Sequence, residues 1–373
     1  MKTGRITRGI CALILFFLYI TGMLLLDHLP VRAKAESADE IMEKDTYNGY
    51  GLKTGQSLAN TILFEEDGKV CYSDRIFTRF SYEDQYIRNT GEYVQKLLEK
   101  TGGRIYLLPV PQRVFLEKAG DADREKYNEY IEKLEGVLPD GAVLVDSLPV
   151  LKEHEKEYVF YRTENAWTAR GAYYASTVLG KKMQLAVLPF TSYEESMYND
   201  FYGGLVQEGL EKYKEDKGRY TEIHGIPSDL KYYYTYPGSD NRAAVFDMEN
   251  ATAELRRPIF SISDPGFDSY IGGEFSYAFV QGRGGTQTVH NEVLLVITDS
   301  EGKVMLPYLA DCYDTIIVIN IQEDRTLPVN IDTIKKEYGI TDVIYMQNAS
   351  RMGNPAYSRA LNGLIGEREE KVW

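Results

Sequence analysis

Short apolar runs of strand length recur in the last third of the chain and alternate with helical patterns. The apolar runs are residues 293–297, 315–321 and 342–346, and the stretches near 303–312 and 331–338 have the spacing of helices. Strand, helix and strand in succession is the order typical of a parallel sheet with crossover helices. This part of the chain therefore predicts an α/β fold.

The same order occurs earlier in the chain. Residues 104–108 and 142–146 predict two further strands, separated by a helix at about 122–138. A helix at about 82–100 ends before a Gly-Gly pair, and Asp67-Gly68 between two apolar segments predicts a β-hairpin. The five strands predict a doubly wound, mainly parallel sheet with flanking helices. We assign it to one domain, residues 61–373, without internal repeats.

The amino-terminus has the pattern of an export or membrane segment. An uncharged apolar run at residues 10–26 follows three basic residues, Lys2, Arg5 and Arg8. The run is long for a cleaved signal and slightly short for a membrane span of about 20 residues. An A-x-A cleavage pattern follows at 33–35, so a signal peptide and a membrane anchor at residues 1–35 are both open. Residues 36–60 are interpreted as a polar tether, and the rest is predicted to be extracytoplasmic.

Composition narrows the possible partners and cofactors. The formal net charge is −14 and no basic stripe follows the first eight residues, so nucleic acid is not an expected partner. There is no CxxC, HExxH or Walker pattern, and the Gly-rich residues 282–285 lack the strand–helix context of a phosphate loop. No metal or cofactor is therefore expected. Cys71 and Cys312 lie outside the apolar run, and whether they pair stays open.

A polar turn followed by a helical pattern, YRTENAWTARGAYYA at residues 161–175, is the most distinctive segment. Thr168 is a candidate helix N-cap. The segment resembles the signature of the DHHW family, extracytoplasmic bacterial proteins with an SGNH-hydrolase-like fold. The matching positions are Thr163, Trp167, Thr168, Gly171, Ala172, Tyr173 and Ala175. The resemblance implies an SGNH-hydrolase-like fold for this chain.

The chemically active part of that signature is replaced. The family has TDHHWT, whereas Glu164 stands here at the position of the Asp, and Asn165 and Ala166 stand at the positions of the two His. The resemblance implies that the second His is the catalytic base and that the Asp orients it. We therefore interpret Glu164 as a vestigial catalytic position, with Ala166 in place of the base that it would orient.

A second segment, LLVITDSEG, resembles the nucleophile turn of the same family. It places Ser300 at the end of a buried strand, where the N-terminus of a following helix favours a neighbouring anion. The resemblance implies that Ser300 occupies the nucleophile position. Ser and Asp are also preferred helix N-caps, so a purely structural role for Asp299 and Ser300 is the alternative.

A Gly-Gly turn at residues 270–274 resembles the family's GGN turn, with Glu274 in place of the Asn that helps to hold an oxyanion. A carboxylate is a poor substitute, because it accepts hydrogen bonds and repels developing negative charge. A solvated surface turn is the alternative interpretation. The resemblance implies a substrate cleft lined by Trp167, Gly273, Glu274 and Asp299.

The four histidines offer no convincing replacement for the missing base. His28 is beside the apolar run, His154 is in a charged segment and His224 is in a loop-like segment. His290 precedes a strand that ends at Ser300, which places it roughly 25 Å away at the opposite sheet end. We therefore expect Glu164, Ala166 and Ser300 to cluster beside Trp167, without a histidine in reach of the serine.

Two functions from different classes follow. The first is a catalytically inactive protein of the cell envelope that binds a surface polysaccharide or an envelope protein. The second is a weakly active serine O-acyl esterase or O-acetyltransferase acting on a cell-surface polysaccharide, as the family's relation to alginate O-acetylation proteins implies. A serine hydroxyl without a neighbouring base is a weak nucleophile, which favours the first.

Overall fold

A mixed sheet of eight strands lies at the centre of the fold. The computed structural model describes residues 61–235, 242–246, 255–258, 275, 277–281, 293–321 and 330–366. The segment predicted at 1–35, the tether at 36–60 and the Gly-rich residues 282–285 lie outside these ranges. Among the helices that the structure describes, none has both the length and the apolar character to cross a membrane.

The regular elements follow one another along the chain as thirteen described strands and nine described α-helices. The strands are β1 Ile62–Glu66, β2 Lys69–Tyr72, β3 Ile76–Thr78, β4 Arg104–Val110, β5 Ala142–Leu144, β6 Glu194–Phe201, β7 Asp229–Thr235, β8 Arg242–Phe246, β9 Leu255–Pro258, β10 Tyr277–Gln281, β11 Val293–Thr298, β12 Thr315–Asn320 and β13 Ile340–Asn348. The α-helices are α1 Asp84–Thr101, α2 Asp121–Val137, α3 Leu148–Glu153, α4 Ala169–Met183, α5 Gly204–Lys212, α6 Lys217–His224, α7 Leu306–Leu309, α8 Ile331–Tyr338 and α9 Ser358–Ile365.

Five parallel strands make up one side of the central sheet. In the order β5-β4-β13-β11-β12, each strand is parallel to its neighbours. These are the five strands that the sequence predicts, so the mainly parallel sheet is confirmed. The predicted hairpin is confirmed as well, because β1 and β2 pair antiparallel around Asp67 and Gly68.

Three further strands extend the sheet beyond the sequence prediction. β10 pairs antiparallel with β12, β8 with β10, and β9 with β8. The sequence between 188 and 285 shows no sustained period-2 alternation that would mark them. β6 and β7 come from the same region and form a separate two-stranded sheet.

Both faces of the central sheet are covered. On β11, Leu295 and Ile297 belong to the main hydrophobic cluster, to which α1, α2, α8 and α9 contribute side chains. Leu294 and Val296 point to the opposite face and are also fully buried. A strand buried on both faces has a continuous apolar sequence, which is why the sequence identified it.

A smaller hydrophobic cluster joins the first three strands to α5 and α6. It contains Phe64, Cys71, Ile76, Leu205, Val206, Tyr213, Ile223 and Ile226. Cys71 and Cys312 are both buried free thiols, so they do not form a disulfide. Burial raises the pKa of each thiol to about 12, which keeps both protonated at neutral pH.

The helix expected at 303–312 is much shorter in the structure. A 3₁₀ turn at Gly302–Met305 follows β11, and α7 adds only Leu306–Leu309. Pro307 has no amide hydrogen to donate to the carbonyl of Lys303, which disfavours a regular α-helix across this position. The helix dipole expected behind Ser300 is correspondingly small.

Gly353→Ala is expected to destabilise the protein more than Gly339→Ala, although both glycines have positive φ, +74° and +72°. A Cβ at position 353 would lie 2.0 Å from the carbonyl oxygen of Tyr86, whereas no atom lies within 4 Å of one at position 339. The left-handed conformation costs about 1 to 2 kcal/mol at either site. Overpacking adds roughly 1 to 3 kcal/mol at 353 alone. Urea denaturation followed by circular dichroism measures both, and equal losses would contradict this packing.

Candidate functional site

Three neighbouring parallel strands end at the same edge of the sheet, and polar residues follow each of them. The strands are β4, β13 and β11, in which Val110 pairs with Asn348 and Met346 with Thr298. Ser300 follows β11, Ser350 follows β13 and Gln112 follows β4. The carboxyl edge of a parallel sheet is where α/β proteins place their ligands.

Asp299 holds the turn that carries Ser300. One carboxylate oxygen of Asp299 accepts from the backbone amides of Glu301 and Gly302, each at 3.1 Å, and the other accepts from that of Asn348 at 2.9 Å. Asp299 is completely buried, whereas Ser300 is partly exposed. The carboxylate therefore fixes the turn and joins it to β13. A direct contact of Asp299 with a substrate stays a prediction.

Trp167 attaches the signature segment to this turn. Its indole Nε1 donates a hydrogen bond of 2.9 Å to the carbonyl oxygen of Glu301, and the side chain is fully buried. The next residue, Thr168, caps α4 by accepting from the amide of Gly171, as the sequence predicted. The segment and the serine turn thus lie side by side at the sheet edge, although they are far apart in sequence.

Glu164 is occupied by backbone amides. Its Oε1 accepts from the amide of Asn165 and its Oε2 from the amide of Gly204, both at 2.8 Å. Burial raises the pKa of this carboxyl, and the two amide hydrogen bonds oppose the rise. Glu164 therefore ties the signature segment to the start of α5.

Neither of the two residues at the histidine positions of the signature has an ionisable side chain. Ala166 is fully buried, and its carbonyl oxygen accepts from the amide of Tyr161. The side chain of Asn165 is bound to Thr78, accepting from its amide and donating to its hydroxyl. Asn165 thus links the segment to β3.

A buried acid lies directly behind Ser300. Glu301 is 4 % exposed, its Oε2 accepts from Asn348 Nδ2 at 2.7 Å, and its Oε1 lies 3.8 Å from the guanidinium of Arg351. Burial, reinforced by the nearby carboxyl of Asp299, raises the pKa of Glu301 to about 8. The attraction of Arg351 opposes this rise without cancelling it.

The histidines that the structure describes are engaged elsewhere. His154 Nδ1 lies 2.7 Å from Glu157, and its ring stacks on Tyr174 with the ring centroids 3.7 Å apart. His224 is exposed at the end of α6 and stacks on Tyr220. Neither of these two imidazoles hydrogen-bonds Ser300. His28 and His290 lie outside the described residues, as do Gly273 and Glu274 of the predicted oxyanion turn.

Sequence reasoning missed the residue that shapes the loop before Trp167. Asp229, at the start of β7, is fully buried and accepts from the amides of Arg162 and Thr163 at 2.7 and 2.8 Å. The hydroxyls of Tyr158 and Thr163 donate to the same carboxylate. No sequence signal marks an aspartate that acts on a loop some sixty residues earlier.

A chain of amides that sequence reasoning also missed supports Glu301. Gln112 Nε2 donates to Asn348 Oδ1 and to Ser350 Oγ, each at 3.0 Å, and Asn348 in turn donates to Glu301. Gln112 and Ser350 follow the ends of β4 and β13, and Asn348 is the last residue of β13. Only the end position of a buried strand could have pointed to them.

The mixed α/β fold, with its mainly parallel sheet and flanking helices, is similar to SGNH-hydrolase-like folds. The family model described as DHHW protein matches residues 38–319, so the chain belongs to the DHHW family. This confirms the resemblance found in the sequence. No match was found among curated proteins.

Two solved structures share the fold. A DHHW family protein from Eubacterium siraeum has a TM-score of 0.67 at 21 % identity, covering 81 % of this chain and 97 % of that chain. Bacillus cereus PatB1 with a sulfonyl adduct has a TM-score of 0.59 at 12 % identity, covering 78 % and 98 %. The O-acetyltransferase domain of Pseudomonas putida AlgJ is less similar, with a TM-score of 0.45 at 12 % identity, covering 81 % and 98 %.

Replacing Trp167 with Ala is expected to lower the free energy of unfolding by about 3 to 5 kcal/mol, because a fully buried indole leaves a large cavity. Trp167→Phe keeps most of the volume but loses the donor to Glu301, so a smaller loss of about 1 to 3 kcal/mol is expected. Chemical denaturation followed by far-UV circular dichroism measures both. A Trp167→Ala loss below that of Trp167→Phe would contradict the packing.

The free energy of unfolding of Glu301→Gln, compared with that of wild type at the same pH, is expected to increase as the pH rises from 5 to 8. The pKa of Glu301 is raised in the fold, so its proton stabilises the folded state at low pH. In wild type this stabilisation is lost as the pH rises from about 4.5, the ordinary pKa, to about 8, the pKa in the fold. The loss is up to about 1.4 kcal/mol per pH unit. Gln cannot ionise and still accepts from Asn348.

Denaturation curves at several pH values measure this difference. Glu135→Gln, at an exposed position on α2, controls for the change in net charge. Parallel stability profiles of wild type and Glu301→Gln would contradict a raised pKa at Glu301.

Proposed function

We propose that this DHHW protein is catalytically inactive and that its serine-bearing cleft binds a cell-envelope polysaccharide or an envelope protein. The observation that carries the proposal is the side chain at position 166. Ala166 stands where the family has its catalytic histidine, and it is fully buried. Position 166 therefore supplies no group that can accept a proton from the serine.

The neighbouring side chains support the same conclusion. Activation of a serine needs a base within about 2.6 to 3.2 Å of its hydroxyl. Both oxygens of Glu164 accept from backbone amides, and the two described histidines are bound to other residues. The carboxyl oxygens of Glu301 are engaged as well, because Oε2 accepts from Asn348 Nδ2 and Oε1 faces the guanidinium of Arg351.

The same proposal includes an extracytoplasmic location. Its support is the sequence: basic residues, the apolar run at 10–26 and the polar segment at 36–60 precede the folded domain, proposed at 61–373. Membrane attachment through residues 10–26 and cleavage after residue 35 are the two forms of this proposal. Cell fractionation followed by intact-mass measurement distinguishes them.

A weakly active serine O-acyl esterase or O-acetyltransferase is the second candidate. One observation favours it: Ser300 is partly exposed on a turn that Asp299 holds with three amide hydrogen bonds. A held and exposed serine is the geometry that a nucleophile requires. This candidate comes second because Ala166 stands where the family has its catalytic histidine.

Ser300→Ala is expected to leave hydrolysis of p-nitrophenyl acetate at the wild-type level, because position 166, where the family has its catalytic histidine, holds a buried alanine. Wild-type protein is also expected to resist covalent labelling by a fluorophosphonate and by a sulfonyl fluoride, with intact mass as the readout. Ser192→Ala, which removes a serine hydroxyl from another part of the chain, is the control. Labelling at Ser300, or ester turnover that disappears only in Ser300→Ala, would establish the second candidate instead.

A further inference from the structure

Tyr202 is an exposed aromatic residue next to the candidate site. It lies between the end of β6 and the start of α5, and 39 % of its surface is exposed. Within the described residues, its ring makes no aromatic contact and its hydroxyl makes no hydrogen bond. The adjacent Phe201 is instead buried and packs edge-on against Tyr161.

The backbone around Tyr202 is fixed by three hydrogen bonds. Its carbonyl oxygen accepts from Gln207 Nε2 at 2.7 Å, and the amide of Gly203 donates to Thr163 Oγ1 at 2.7 Å. The amide of Gly204 donates to Glu164 Oε2 at 2.8 Å. A Cβ at position 203 would lie 2.5 Å from the carbonyl oxygen of Thr163, so this turn packs directly on the signature segment. The ring is therefore presented from a preorganised backbone.

Glu164 connects this turn to polar residues of the candidate site. Glu164, which the turn contacts, interacts electrostatically with Arg351. The side chain of Arg351 is 42 % exposed, and that of Ser300 is partly exposed on the neighbouring turn. Trp167, three residues after Glu164, contacts the residue that follows Ser300. Tyr202, Arg351 and Ser300 are thus at least partly exposed residues that Glu164 and Trp167 link to the signature segment.

We propose that Tyr202 is a stacking platform for a pyranose ring of a glycan bound in this cleft; the inference rests on the proposed glycan binding. A pyranose has an apolar C–H face that matches an aromatic face, and a rim of hydroxyls that hydrogen-bond with groups such as Arg351 and Ser300. A stable protein interface buries about 800 Å² on each partner around several apolar anchors. Tyr202 is the one large exposed aromatic in the described turn that contacts Glu164, and a single exposed ring fits a sugar better than a protein.

The test uses the full chain in detergent and a printed array of oligosaccharides, containing neutral N-acetylhexosamine and uronate series. The best array binder is then titrated calorimetrically. Tyr202→Ala is expected to weaken binding by about tenfold, which corresponds to about 1.4 kcal/mol, and Tyr202→Trp to change it less than threefold. Tyr220→Ala removes a tyrosine of similar exposure, 37 %, from α6 and should leave binding unchanged.

The other possible results of these binding experiments each contradict a specific part of the proposal. Glycan binding that Tyr202→Ala leaves intact would overturn the role of Tyr202 and keep the proposed function. Binding to none of the oligosaccharides would overturn both the stacking role and the glycan form of the proposed function. Retention of an envelope protein that depends on Tyr202, without glycan binding, would assign the surface to a protein partner. Ser300-dependent turnover of a bound acetylated glycan would contradict the proposed catalytic inactivity but not the proposed glycan binding.

Discussion

The hydrogen bond from the Trp167 indole to the carbonyl of Glu301 joins two segments separated by 134 residues. It is made in a fully buried environment, where an unpaired carbonyl or indole N–H would cost free energy. Its partners cannot be exchanged for water without opening the core. The position of the signature segment relative to the serine turn therefore follows from packing, and it does not require an imidazole at the site.

Carboxyl groups dominate the space around that contact. Asp299, Glu301 and Glu164 lie close enough to influence one another, and their burial is tolerated in two ways. Asp299 accepts three backbone amides, Glu164 accepts two, and Glu301 retains its proton over much of the neutral range. In a site with a histidine, an imidazolium could compensate some of this charge. Here backbone amides and Arg351 provide the compensation.

The parts of the fold that the sequence predicted are those with a local signal. Four of the parallel strands, β4, β11, β12 and β13, are continuous apolar runs because they are buried on both faces, and the cap at Thr168 is a property of one turn. The antiparallel strands β8 to β10 and the short α7 carry no comparable signal. At the site, the family signature located Glu164, Ala166, Trp167 and Ser300. The tie from Asp229 and the chain from Gln112 to Asn348 depend on tertiary contacts, which no local pattern contains.

The carboxylate of Asp229 has a consequence for how this protein could change over time. Asp229, at the start of β7, sets the path of residues 158–163, which precede it by more than sixty positions. Trp167 and Thr168 set the path of the next few residues. None of these residues is a histidine of the signature. The loop can therefore keep its shape when the histidines are exchanged, because its architecture and its chemistry are encoded by different side chains. In this arrangement the signature histidines can be exchanged without selection against misfolding, because none of them holds the loop at the sheet edge.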